Sequence, residues 1–346
     1  MPLIAEVNVA QFVKNITTIR SKTYASIMAV VKADAYAHGS VPLALNSQAY
    51  VDEFAVADFN EATELVNAGI VKPINILSPI EPLSRHNWSS NMVATVCSLR
   101  DVDVLRRVKM PVKFVNIEVN TGMNRLGIEL GELLTVLEKL EGICIRVKSI
   151  FSHLYNATDL MSAQKQLEIF KKIILLAGKS KGIKLHLAAS SCMHLPEEFY
   201  FDCVRPGIGL YGYADGTLPI LKIYAGILKI FAVKKGEAIS YGDYKAPRDM
   251  LVAAVRAGYA DGIKRKIDPS SENRFMSIGG NLCPIVGQVC MDITMIDVSK
   301  IAVNYSDKVY VLGNGVTADM LACDTNTNIY EVLTAFKGRV ERKYYS

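Results

Sequence analysis

The sequence predicts an α/β chain: an N-terminal (β/α)8 barrel followed by a C-terminal, mainly β domain. Two observations carry this. Up to Gly212, short apolar, β-branched runs alternate with stretches of helical character. After Tyr213 the long helical patterns vanish and strand-like segments follow one another quickly. Buried parallel strands read as near-continuous apolar runs, and their alternation with helices is the pattern of a parallel α/β sheet.

Eight runs qualify as barrel strands: Ser26–Val31, Phe54–Ala57, Ile74–Leu77, Met92–Val96, Val112–Val119, Ile145–Ser152, Lys184–Ala188 and Val204–Tyr211. Helical patterns over Asn60–Ala68, Leu99–Arg107, Leu130–Leu140 and Ser162–Lys179 lie between them, and Glu81–Ser90 is the weakest connection. Eight such units suggest a TIM-type barrel, although strand order is not written in the sequence and a doubly wound sheet is the competing arrangement. Leu3–Val7 reads as a strand outside the barrel, with a helix over Val9–Arg20 after it. Beyond the barrel, strands are expected at Leu221–Phe231, Met250–Arg256, Arg274–Ile278, Cys283–Val289, Ile293–Val298 and Lys308–Leu312, with turns at Gly279-Gly280-Asn281 and Gly313-Asn314-Gly315. The expected division is therefore residues 1–219 for the barrel and 220–346 for the β domain, with residues 1–8 a strand that joins the latter.

Composition excludes several classes. Half of the 346 residues are hydrophobic and 21% are charged, an ordinary globular balance that needs neither disorder nor stapling. The net charge of +5 comes from scattered lysines, and the densest basic run, Lys264-Arg265-Lys266, is too short for a nucleic-acid footprint. Seven cysteines, an odd number with no C-x-x-C spacing, predict neither a disulfide framework nor a zinc knuckle and suit a reducing cytoplasm. No signal peptide and no apolar run of ~20 residues is read, so no membrane partner is expected.

A barrel of this kind carries its chemistry at the C-terminal ends of its strands. Lys32 follows the first run, Glu118 ends the fifth, Arg125 lies in the next loop, His153 follows the sixth, Ser190 follows the seventh and Arg205 opens the eighth. Lys32 closes the apolar run Ile27–Val31, where a buried ammonium is costly. Position alone leaves two readings for it: a side chain that snorkels to water, or an amine of lowered pKa able to form a Schiff base, with Arg125 and Arg205 as the depressing cations. Gly207-Ile208-Gly209-Leu210-Tyr211-Gly212 fits G-x-G-x-x-G literally, but no strand–turn–helix context surrounds it. Its glycines are better placed to let backbone N–H groups approach a phosphate after strands seven and eight. The histidines His38, His86, His153, His186 and His194 form no ligand pair, so no metal site is expected. His153 and His186 both suit a satisfied barrel histidine, and only His153 is carried forward as functional.

Several motifs together resemble one family. Val31-Lys32-Ala33-Asp34-Ala35-Tyr36-Ala37-His38-Gly39 looks like the pyridoxal 5′-phosphate (PLP) attachment motif of alanine racemases. Asn120–Gly127, Asp202–Gly212, Gly258-Tyr259-Ala260-Asp261-Gly262 and Gly287-Gln288-Val289-Cys290-Met291-Asp292 continue the likeness, in family order, along nearly the whole chain. The resemblance implies a homodimer with composite sites that interconverts L- and D-alanine and supplies D-alanine for cell-wall peptidoglycan. It implies Lys32 as cofactor anchor and one base, and Tyr259 of the partner subunit as the other. Tyr36, His153, Ser190, Arg205, Tyr330 and the backbone at Gly207 and Ile208 would hold PLP, with Arg205 at the pyridine nitrogen. Arg125 would bond the PLP phenolate oxygen or the substrate carboxylate, and the Met291 N–H would help hold that carboxylate, with Glu118 and Asp292 in support.

Two positions depart from the family pattern. Glu118 stands where the family often has a carbamylated lysine, and is expected to supply the carboxylate beside Arg125 itself. Ala189 stands where an asparagine is expected, which removes one hydrogen bond near the cofactor. Three readings compete with alanine: racemisation of another amino acid such as serine, a non-catalytic PLP-binding protein, and a nicotinamide dehydrogenase built on the glycine run.

Overall fold

The protein is described by a computed structural model covering residues 2–80, 88–108, 111–177, 182–265 and 274–346. His86, Lys266 and most of the expected segment Glu81–Ser90 lie outside the described residues. The chain divides into two compact units, one of Gln11–Ala35 with Ser40–Pro219, the other of Met1–Ala10, Tyr36–Gly39 and Ile220–Ser346.

The first unit is an eight-stranded parallel barrel. Its strands are Ser26–Val30, Glu53–Val56, Ile74–Pro79, Met92–Val96, Phe114–Glu118, Arg146–Phe151, Lys184–His186 and Cys203–Val204, with consecutive strands paired from the first to the seventh. The last pairs with the first, Ser26 opposite Cys203, and the parallel bridge Ala189–Arg205 closes the ring. Side chains such as Ile27, Ile74, Ile117 and Val204 are fully buried, so the barrel is a packed core.

One expected strand is corrected. The eighth run was expected to extend over Val204–Tyr211, but pairing stops at Val204 and Ile208–Tyr211 forms a short 3-10 turn. Pro206 has no N–H to offer a ladder, and Gly212 at φ 99° ends the turn in the left-handed region. Asn15, fully buried on the helix Val9–Arg20, holds this segment: its amide donates to Leu210 O (3.0 Å) and Leu218 O (2.8 Å), and its Oδ1 accepts from Leu218 N at 3.0 Å.

The second unit has two sheets. A six-stranded sheet runs in the order Asn281–Pro284, Phe275–Ile278, Val309–Leu312, Leu221–Ala225, Ile4–Asn8, Glu341–Tyr345. A three-stranded antiparallel sheet holds Ile227–Val233, Met250–Val255 and Thr294–Asp297. The single run expected over Leu221–Phe231 is thus two strands in different sheets, broken at Gly226. Two helices not read from the sequence, Ala318–Asp324 and Ile329–Ala335, follow the N-caps Thr317 and Asn328. Among the described residues no helix is long and apolar enough to cross a membrane.

Removing the Asn15 amide leaves one buried backbone group, Leu210 O, and two partly buried ones on Leu218 short of partners, at about 1 kcal/mol for the buried one and less for the others. Asn15→Ala is expected to lower the urea midpoint of the barrel's unfolding transition with its slope unchanged; an unaltered midpoint would show that water replaces the amide.

Candidate active site

The first barrel strand delivers Lys32 into an unusual backbone. Ala33, Asp34, Ala35, Tyr36 and Ala37 all have φ between 52° and 63°, a left-handed helical turn. Such a turn costs roughly 1–2 kcal/mol per L-residue, because Cβ crowds the next carbonyl. In the barrel unit, Glu61 Oε1 accepts from Ala33 N at 2.7 Å, Ala35 N donates to Val31 O at 2.8 Å and Asp34 Oδ1 accepts from Ser40 N at 2.8 Å. Glu61 also takes Ala57 N at 2.7 Å. Nothing in the sequence reading singled out Glu61, which reaches this turn from the following helix Phe59–Asn67.

Burial pulls the Lys32 amine below its ordinary pKa, with Arg125 and Arg205 lowering it further and Glu61 and Glu118 opposing them. The structure therefore brings Lys32, Glu118, Arg125 and Arg205 within electrostatic reach of one another. Glu118 ends its strand in a buried position, and Cys97 Sγ donates to its Oε2 at 3.4 Å. Burial lifts the Glu118 carboxyl above its usual range, against the pull of Cys97, Arg125, Arg205 and Lys32.

Arg205 is 5% exposed, and among the described residues its guanidinium donates to neutral acceptors only: His186 Nδ1 (2.6 Å), Ser152 O (2.7 Å), Leu187 O (3.2 Å) and His153 Nδ1 (3.4 Å). The Phe151 ring lies 5.1 Å from its carbon. Arginine only donates, so the facing nitrogen of each histidine is an acceptor. Ser190 Oγ accepts from Gly207 N (2.8 Å) and Gly209 N (3.1 Å), which folds the glycine run around that hydroxyl. A Cβ on Gly209 would lie 3.0 Å from Ala214 Cβ and 3.3 Å from Ser190 Oγ, so any larger residue would crowd this approach. Ala189 contributes backbone only, in its bridge to Arg205.

The other unit holds the remaining candidates. Tyr36 and Tyr330 pack with ring centroids 6.0 Å apart, and burial raises the Tyr36 phenol. Tyr259 begins a 3-10 turn, Tyr259–Asp261, in which Gly258 N donates to Asp261 Oδ2 at 2.8 Å. Tyr259 N donates to Cys290 O and Ala260 N to Met291 O, both at 3.0 Å, so the tyrosine turn and the Met291 loop share a backbone seam. A Cβ on Gly258 would sit 2.2 Å from Met291 O, which leaves only glycine room there. Arg339 clamps the seam from outside: Nε donates to Asp261 Oδ1 at 2.7 Å and Nη2 to Asp292 Oδ1 at 2.6 Å. Asp292 is thus a partner of Arg339, which the sequence reading passed over because a lone arginine in the bend before a strand carries no local signal.

The profile of the alanine racemase N-terminal domain matches residues 7–215, and that of the C-terminal domain matches residues 220–344. The chain belongs to the alanine racemase family. An alanine racemase of Thermodesulfovibrio yellowstonii is 35% identical over 99% of this chain and 97% of its own. The solved alanine racemase of Clostridium difficile superposes with a TM-score of 0.92 at 29% identity, covering 100% of this chain and 96% of that one. That of Bartonella henselae, solved with covalently bound pyridoxal phosphate, gives 0.89 at 27% identity with both chains wholly covered. Membership makes the protein an isomerase acting on a small amino acid, and removes the nicotinamide dehydrogenase reading of the glycine run.

Burial, then the charges of Arg205, Arg125 and Lys32, pull the His153 imidazole from its ordinary 6.5 to about 3. The unfolded chain takes up a proton near pH 6.5 that the folded chain refuses until about pH 3, so stability falls as the pH drops through that window. His153→Gln is expected to flatten the dependence of the urea midpoint on pH there by one proton's worth; an unchanged slope would mean that folded His153 is charged. Arg339→Ala is expected to lower kcat by about tenfold or more through misplacement of Tyr259, with Arg339→Lys intermediate. Steady-state kinetics on both variants check this.

Proposed function

We propose that the protein racemises alanine by a two-base mechanism on PLP, with Lys32 as the cofactor's anchor and one base and Tyr259 of a partner subunit in a homodimer as the other. The observation that carries the reading is the Lys32 amine, held at the mouth of the barrel with its pKa lowered by burial and Arg125. The residues fit the cofactor. An amine of lowered pKa suits an aldehyde, guanidinium groups suit its anionic oxygens, and hydroxyls beside glycine N–H groups suit a phosphate. Lys32, Tyr36, His153, Ser190, Arg205, Gly207, Ile208 and Tyr330 would hold it.

When bound, PLP supplies an electron sink that acidifies the α-C–H of an attached amino acid. The protein's part is to move a proton at that carbon from both faces. Lys32, already biased toward the neutral amine, takes or returns the proton on one face, and the Tyr259 phenol serves the other. Arg125 and the Met291 N–H orient the substrate carboxylate. Arg205, whose guanidinium does not readily give up a proton, would leave the pyridine nitrogen unprotonated and restrain side reactions. Glu118 is the carboxylate that steadies Arg125, in place of a carbamylated lysine, and Asp292 steadies the Met291 loop through Arg339. The product D-alanine would serve peptidoglycan, and the seven free cysteines support a reducing cytoplasm as its place of work.

The test is chiral chromatography of L-amino acids incubated with the holoenzyme. D-Alanine is expected, lost in Lys32→Ala and reduced by about 100-fold or more in Tyr259→Phe, the scale of one general acid–base group. Racemisation of serine in preference to alanine would keep the mechanism and change the substrate. PLP bound without any turnover would favour a binding protein. Glu118→Gln is expected to raise KM for alanine by about tenfold through a less ordered Arg125; unchanged kinetics would remove Glu118 from the site.

A further inference from the structure

Arg205 is a fully buried cation whose hydrogen-bond acceptors are all neutral, and a chain of side chains runs from it down through the barrel interior to a carboxylate. Arg205 Nη1 donates to His186 Nδ1 at 2.6 Å. His186 Nε2 meets Ser149 Oγ at 2.9 Å, Ser149 donates to Asn116 Oδ1 at 2.6 Å, Asn116 Nδ2 to Asn75 Oδ1 at 2.9 Å, and Asn75 Nδ2 to Glu53 Oε2 at 2.8 Å. All six residues are buried, from 0% to 5% exposed. Glu53 is anchored in turn by Lys148 at 2.6 Å and Lys184 at 3.0 Å.

Each end of this chain can run in only one sense. Arginine has donors and no acceptor; an ionised carboxylate has acceptors and no donor. The Asn75 amide is fixed twice, because its Nδ2 also donates to Phe54 O at 2.9 Å. Asn116 must then present its oxygen to Ser149, the Ser149 hydrogen is used on Asn116, and His186 is left as the donor at Nε2 and the acceptor at Nδ1. Every dipole along the path points its positive end toward Glu53 and its negative end toward Arg205, so each link polarises the next.

We infer that Glu53, Asn75, Asn116 and Ser149 form a positioning relay that makes His186 a strong neutral acceptor and so holds the Arg205 guanidinium charged and aimed at the mouth of the barrel. Two charge environments agree with the geometry. Burial, with Arg205, Lys148 and Lys184, keeps the His186 imidazole well below its ordinary pKa. Burial pushes Glu53 up, yet Lys148, Asn75 and Lys184 outweigh it and keep the carboxyl below its usual range. The relay's link to catalysis rests on the PLP reading of Arg205; its hydrogen-bond direction does not.

The experiment is NMR of the imidazole nitrogens and their protons in protein labelled with 15N-histidine, first without cofactor. In the wild type at neutral pH, His186 is expected to be neutral with its proton on Nε2; a proton on Nδ1, or on both nitrogens, overturns the relay. Asn116→Leu cuts the chain without touching a charged group, and Asn116→Asp keeps an oxygen acceptor facing Ser149. The relay predicts that the His186 Nε2–H resonance moves upfield in the leucine variant and downfield in the aspartate variant. A purely structural asparagine would give no such opposition, and displacement in one direction by both variants, or by neither, overturns the proposal. In the holoenzyme, Asn116→Leu is expected to lower kcat about tenfold, on the scale of one hydrogen bond to a charged group, with KM for alanine within about twofold and with Asn116→Asp recovering most of the loss. The nitrogen spectra are read on the apo protein and, for the wild type, need no variant to fold. Failure of the PLP reading shows separately, as absence of the absorbance of lysine-bound cofactor in the wild type.

Discussion

The left-handed turn that begins at Lys32 is the constraint from which much of the site follows. Five consecutive L-residues at φ 52–63° are individually unfavourable, and such strain persists only where the surroundings over-determine it. Here the turn is tied along its length. Glu61 takes the first N–H after the lysine, Asp34 takes Ser40 N, Arg342 Nε donates to Ala37 O at 2.9 Å and His38 Nδ1 to Tyr36 O at 2.8 Å. A right-handed turn of the same sequence would redirect every Cβ after Lys32, including that of Tyr36. The turn sets where two side chains of the proposed cofactor site, those of Lys32 and Tyr36, leave one short segment.

Charge balance around that turn is as specific as its backbone. Arg125 and Arg205 work with burial to lower the Lys32 amine, while Glu61 and Glu118 pull the other way. A site with only the arginines would discharge the lysine but would leave two guanidinium groups uncompensated in a poorly solvated place. Carboxylates in direct contact with the amine would restore its proton and remove its basicity. The arrangement lies between: Glu61 is occupied by two backbone N–H groups, and Glu118 by the Cys97 thiol. Each carboxylate has part of its accepting capacity committed elsewhere, so it neutralises the cations at a distance without capturing the amine.

Much of the barrel was legible because its strands read as short, largely apolar runs between helical stretches, even though Glu53, Asn75, Asn116 and Ser149 put polar side chains in its interior. Val204–Tyr211 broke the pattern: its apolar residues are buried, but in a 3-10 turn around Ser190, and burial alone does not distinguish the two. In the second unit the short helices Ala318–Asp324 and Ile329–Ala335 were missed although their caps are written locally, Thr317 accepting from Met320 N and Asn328 from Glu331 N. Seven residues are too few for a periodic pattern, and the capping residues were the better signal. The candidates at strand ends stood out in the sequence because position and chemistry coincide there. Glu61, His186 and Arg339 did not, because each acts by holding another group. The alanine-rich Lys32–Ala37 segment carries no mark of its left-handed turn, since its composition favours a right-handed helix and its handedness is imposed by tertiary contacts.

Placing Tyr259 on a turn rather than on a strand also has a physical reason. Asp261 caps Gly258 N, and the Tyr259 and Ala260 N–H groups are spent on Cys290 and Met291 carbonyls, so the turn and the Met291 loop move as one body. The phenol itself is 39% exposed and makes no ladder contact, which leaves it free to reach outward while its base is immobile. In the proposed two-base mechanism, bases that address one carbon from opposite faces need fixed origins more than they need rigid side chains, because a displacement of the backbone shifts the whole reach while a rotamer change costs little. The same logic governs Lys32, whose long side chain rises from a backbone that cannot turn. In the proposed mechanism each base is therefore a flexible arm on a backbone segment locked by a carboxylate, the half-buried Glu61 for the lysine and the buried Asp261 for the tyrosine, and the precision of the site would reside in those carboxylates as much as in the residues that carry the proton.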